Sequence, residues 1–184
     1  EAVKYSLFSA LILSIVFYIL IFIGFKHTTA GNAGIVLLME IFFSYVIFGA
    51  FMKENQKPSH IMGALTMVIG AMIILFPGEV KINTGDILIL LATMVAPFGN
   101  YFQQKARNLI SAEYHLFVRD LTATVVIMPL AYLIEGKIGM DQINASLLFI
   151  IINGLILLGV AKIFWIEAIH RIPVTKAISF GPIT

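Results

Sequence analysis

The chain is expected to fold as an all-α polytopic membrane protein, a helical bundle, and three observations predict this. Apolar runs at residues 6–25, 33–52, 61–76, 87–102, 116–134 and 147–169 occupy most of its 184 residues. The composition is 60% hydrophobic and 12% charged, with mean hydropathy +0.99, whereas about a quarter of a soluble domain is charged. The charges are also confined, falling mainly in the short connections. A bilayer core about 30 Å thick is crossed by roughly 20 helical residues rising about 1.5 Å each. Inside hydrocarbon the backbone must satisfy its own hydrogen bonds, so repeated runs of this length predict helices.

Taken in order, the first run ends at the basic pair Lys26–His27 and lacks the basic leader and small-residue cleavage site of a signal peptide. The second carries Glu40 and ends at Lys53. The third places Gly63, Gly70 and Ala71 on one stripe, a surface expected to pack against a neighbour. In the fourth, Pro97 removes a backbone donor just before Asn100, so the freed carbonyl and that amide are expected at one corner of a cavity. The fifth opens with Arg119 and Asp120 in about its first turn and holds Pro129 farther on. The sixth contains Asn153, Lys162, Trp165 and Glu167 and ends at His170–Arg171. Residues 177–184 are apolar but too few to cross a bilayer. With Glu1 in place of a start methionine, the chain reads as a piece of a longer bundle, incomplete at both ends.

The basic residues alternate between connections. Lys4, Lys53, Lys57, Lys105, Arg107, Arg171 and Lys176 fall on one side, against Lys26, Lys81 and Lys137 on the other. The positive-inside rule assigns the first set, and with it the start of the chain, to the cytoplasm. A formal net charge of +2 therefore reports orientation, not affinity for nucleic acid. With no cysteine, disulfides, thiol catalysis and cysteine metal sites are excluded.

Two helix ends are alike. Gly24 to Ala30 reads GFKHTTA and Ala168 to Val174 reads AIHRIPV; in each, a long apolar run closes on two basic residues and a short turn leads into another apolar run. An odd number of spans, five, separates the two copies, so the second would be inverted in the membrane. Inverted repeats are a common architecture of secondary transporters, whose substrate sites lie at the repeat interface.

The residues from Phe25 to Ala30, those from Ala33 to Glu40, the Lys53–Glu54 pair and His60 to Gly63 with Gly70 resemble one repeat of the EamA-type transporters of the drug/metabolite transporter superfamily. Gly85–Asp86, Asn100 to Lys105, Phe117 to Arg119 and Ile172 to Ser179 resemble the next. The resemblance implies a ten-helix carrier built from two inverted five-helix repeats. Residues 1–78 would be the later part of the first repeat and 79–184 the earlier part of the second. One departure is Ile41, which stands where many members have proline.

A charge at a helix centre costs about 2.5–3.5 kcal/mol on insertion scales, so each one needs a reason. Lys162 and Glu167 are five positions apart and do not share a face, so a partner for Lys162 is expected on another helix, with Glu40 the leading candidate. Candidates for the substrate pathway or its coupling are Glu40, Asn100, Arg119, Asp120, Asn153, Lys162, Trp165 and Glu167. Arg119, Asp120 and Glu167 have a plainer reading as anchors near the headgroups. The resemblance implies a secondary transporter in the cell membrane, moving a small organic metabolite or drug-like solute by alternating access, with export as the direction. Ion or proton coupling is expected at Glu40, because a carboxylate desolvated in the bundle would titrate nearer neutrality. No cofactor or metal is expected. An intramembrane enzyme is disfavoured, because His27, His60, His115 and His170 sit at helix ends without metal-ligand spacing. A receptor or channel would leave the repeat unexplained.

Overall fold

The computed structural model describes residues 1–52, 58–75, 83–136 and 139–180. The loop charges Lys53, Glu54, Lys57, Lys81 and Lys137 lie outside the described residues. Each apolar run forms a helix: α1 (Ala2–Phe25), α2 (Ala30–Met52), α3 (Pro58–Leu75), α4 (Thr84–Arg107), α5 (Ala112–Glu135) and α6 (Met140–Arg171), followed by the short α7 (Val174–Phe180). Five of the described helices are long and apolar enough to cross a membrane. The chain is an all-helical, multi-pass membrane protein. With Ile41 in place of a proline, α2 runs unbroken.

Local chemistry sets the helix ends. The Asp86 carboxylate accepts the Asn83 N–H at 3.3 Å, and Ser111 Oγ accepts the Tyr114 N–H at 3.3 Å, each satisfying a backbone donor that the first turn leaves free. Gly136 closes α5 at φ 76°, a left-handed conformation natural to glycine. Lys105 and Arg107 occupy the last turn of α4, where cations complement the helix dipole.

α4 is the central helix and packs against α1, α2, α5, α6 and α7. Its seam to α1 is built from small residues. Gly85, Ala92, Ala96 and Gly99 are buried on α4, and a Cβ at Gly85 would lie 2.5 Å from the Gly24 carbonyl oxygen. A Cβ at Gly99 would lie 2.4 Å from Leu13 Cγ. Lipid tails are as apolar as side chains, so such close backbone approach, not hydrophobic driving force, holds helices together in a membrane. Thr28 Oγ1, in the turn that follows α1, adds a hydrogen bond to Asp86 Oδ1 of α4.

The stripe expected on α3 is a correction. A Cβ at Gly63 or Gly70 would meet no heavy atom within 4 Å among the described residues; α3 instead turns Ala64 into the core formed with α2, α6 and α7. Spacing alone shows that a stripe exists, not that a neighbour covers it.

Both long helices α1 and α6 widen at mid-length into a π-helix, over Ala10–Phe17 and Ile152–Val160. The helices that follow them begin at Ala30 and Val174, the positions matched by the sequence repeat. Residues 140–158 of α6 are exposed, as suits an apolar helix turned toward lipid.

Candidate functional site

Four ionisable side chains converge from three helices: Glu40 of α2, Arg119 and Asp120 of α5, and Lys162 of α6. Lys162 lies within electrostatic reach of the other three. α4 supplies neutral partners, because its Asn100 and Gln103 are buried beside Pro97 on the inner face. Asn100 Nδ2 donates to Glu40 Oε1 at 3.1 Å. Arg119 Nη1 donates to Gln103 Oε1 at 3.0 Å, and its Nε and Nη2 both reach Asp120 Oδ1 at 3.0 Å. Two cations face two anions, so the group is close to neutral, which lowers the cost of carrying charge within hydrocarbon.

A cavity of about 520 Å³ opens between α1, α5 and α6, with Arg119 and Asp120 in its wall. Ser14, from the π-helical part of α1, and Gly154 and Leu158, from that of α6, border the same space. The π-helices thus flank one hollow, and such widenings are frequent at functional sites. Glu40, Asn100 and Lys162 do not line it. They stand behind the Arg119–Asp120 pair.

The other expected residues are placed differently. Trp165 is half-buried and packs, with Tyr101 and Phe42, against the core between α2 and α7. Glu167 accepts from Arg107 Nη2 at 2.8 Å and from Arg171 Nη2 at 2.9 Å, so it clamps the end of α6 to the end of α4. Asn153 does not join the charged group: it is exposed, and its amide donates to the Phe149 carbonyl one turn back on the same helix at 2.9 Å. The reason is the rotation of α6, which turns Gly154 and not Asn153 toward the cavity.

Three residues enter that no motif singled out. His115 is fully buried, with Nδ1 2.8 Å from Ser6 Oγ and Nε2 lacking a partner among the described residues. Ser14 Oγ is buried at the cavity wall, also without a partner among the described residues. Tyr18 lines the same wall within electrostatic reach of Arg119 and Asp120. A buried hydroxyl without a partner among the described residues marks Ser14 as it marks Ser9 and Ser44, and of the three Ser14 is the one that borders the cavity.

The Glu167 clamp is partly exposed, with the Glu167 side chain 29% accessible, so its weight is small. Glu167→Gln is expected to cause only a small loss of stability, read from thermal unfolding in detergent, and to leave the cavity intact. A loss several times larger would show that the clamp holds the bundle together.

In sequence comparison, residues 1–76 and 83–184 match the EamA-like transporter family. No curated protein and no solved structure matches the chain.

Proposed function

The chain belongs to the EamA-like transporter family, and from that membership we infer a secondary carrier that moves a small organic solute across the cell membrane by alternating access. Residues 1–78 and 79–184 act as parts of two inverted repeats. The observation that carries this reading is the shared hollow: the helices that the sequence repeat equates, α1 and α6, widen at the same place and border one cavity with a charged pair in its wall. Rocking of one repeat against the other would open that cavity to each side in turn.

Export is the proposed direction. Glu40 is the proposed coupling group, a carboxylate held by one amide with Lys162 within electrostatic reach; Lys162 in turn lies within reach of the Arg119–Asp120 pair. Binding of a charged solute would upset this neutral quartet, and gain or loss of a proton at Glu40 would offset it. The family is one of transporters, and the proposed role includes no enzymatic step.

The test starts from a thermal-shift screen of metabolites, since a ligand that binds the folded state raises its melting temperature. Flux of a hit is then followed in proteoliposomes under an imposed pH gradient. Glu40→Gln is expected to remove the gradient dependence while exchange at equal pH persists. An unchanged dependence would remove Glu40 from the coupling role.

A further inference from the structure

The wall of the cavity is specific enough to name a class of ligand. Asp120 and Arg119 form an ion pair, but the two are unequally exposed: 45% of the Asp120 side chain is accessible and only 4% of Arg119. The charge met by an entering molecule is therefore the carboxylate. Both contacts from Arg119 end on Oδ1 of Asp120, and another Arg119 nitrogen is taken by Gln103, so none of these contacts occupies Oδ2.

Two further hydroxyl-bearing residues border the same space. Ser14 Oγ is buried with no partner among the described residues, and the Tyr18 hydroxyl belongs to a side chain within electrostatic reach of Asp120. The rings of Tyr18 and Phe22 stack at a centroid distance of 5.8 Å and an interplanar angle of 21°, and both line the cavity. Aromatic faces beside a carboxylate attract organic cations. Met128 and Leu158 supply apolar surface. A volume of about 520 Å³ accommodates a small organic molecule.

We propose that this cavity binds amphiphilic protonated amines, the N–H donors directed at Asp120 Oδ2 and the Ser14 and Tyr18 hydroxyls, and the apolar body lying against Phe22, Met128 and Leu158. The proposal rests on the carrier reading in naming what is carried, but the binding site stands on its own geometry. A carboxylate ligand would meet Asp120 first, with Arg119 already engaged behind it. A neutral alcohol would offer the Asp120 carboxylate a hydrogen bond but no charge. A quaternary ammonium would lack the N–H groups that three oxygens call for. Lys162 and Glu40 lie behind the pair and balance one another, so the incoming cation breaks no existing ion pair.

Four probes of similar shape separate these cases: 2-phenylethylamine, 2-phenylethanol, 3-phenylpropionate and trimethyl(2-phenylethyl)ammonium. Each is titrated against the full chain in lipid nanodiscs by calorimetry and thermal shift. The amine is expected to bind most tightly, and Asp120→Asn to weaken it on the order of tenfold or more, the scale of a hydrogen bond to a charged group. Asp120→Glu, which keeps the charge, is expected to restore part of the loss. Thr66→Ala, on the exposed surface of α3, is expected to bind as the parent does. Far-ultraviolet dichroism verifies that each variant is folded. Equal binding of the carboxylate or the quaternary probe, undiminished amine binding by folded Asp120→Asn, or no amine binding by the parent would overturn the proposal. Counterflow of labelled phenylethylamine in proteoliposomes separates the two readings. Binding without exchange leaves the cavity assignment standing and contradicts the carrier; exchange that ignores Asp120 contradicts the cavity assignment and leaves the carrier.

Discussion

Gly85→Ala is expected to destabilise the bundle more than any other single-methyl addition on α4, and Gly85→Val to prevent its assembly. The added Cβ would lie 2.5 Å from the Gly24 carbonyl oxygen, 2.7 Å from the His27 carbonyl carbon and 2.8 Å from the Thr28 nitrogen. All three are backbone atoms, which cannot rotate away as a side-chain tip can. Relief requires α1 and α4 to separate, and that would also stretch the Thr28–Asp86 hydrogen bond. Overpacking of this kind costs typically about 1–3 kcal/mol, and valine adds two more carbons at the same point. Gly34 is the natural control, since a Cβ there meets nothing within 4 Å and alanine is the better helix former. Thermal or denaturant unfolding of Gly85→Ala and Gly34→Ala in the same detergent measures the difference. Equal stability would mean that α1 and α4 do not touch at this seam.

Arg119→Ala is the second large effect. Arg119 is 4% exposed and donates to Gln103 and Asp120. Its removal leaves the buried Gln103 amide oxygen without its donor, which costs about 1–3 kcal/mol, and leaves the Asp120 carboxylate unpaired but half-exposed, where solvent offsets part of the loss. Arg119→Lys is expected to recover only part, because an ammonium cannot reproduce the planar fork that reaches two partners at once. Arg119→Ala combined with Asp120→Asn is expected to be more stable than Arg119→Ala alone, since the stranded charge is gone. A double variant no better than the single one would show that Asp120 is well solvated without its partner.

Much of the architecture is legible in the chain because hydrocarbon leaves the backbone so few options. Run length alone places α1 to α6, and each observed helix begins a few residues before its apolar run, since polar turns such as Asn83 to Asp86 serve as caps. Part of the site is legible for the same reason. A charge inside a span is so costly that Glu40 and Lys162 stand out, and the need for a partner on another helix follows from their spacing. Helix rotation is what sequence does not reveal. α6 is apolar nearly all round, so nothing local distinguishes the face holding Asn153 from the one holding Gly154. The glycines of α3 and α4 look equally suited to close packing, yet among the described residues only Gly85 and Gly99 have a helix laid against them. His115 reads as a helix-end residue until the fold sets Ser6 beside it.

Alternating access is the central claim, and it can be tested before any substrate is known. The chain contains no cysteine, so Ala123→Cys places a sole thiol in the cavity wall. In oriented proteoliposomes, a membrane-impermeant maleimide is applied from one side or the other. Ser111→Cys, in the exposed turn before α5, serves as the control that labels from a single side. The thiol introduced by Ala123→Cys is expected to react from both sides, because the cavity opens to each in turn. Reaction from one side only, at any temperature that keeps the bundle folded, would contradict it.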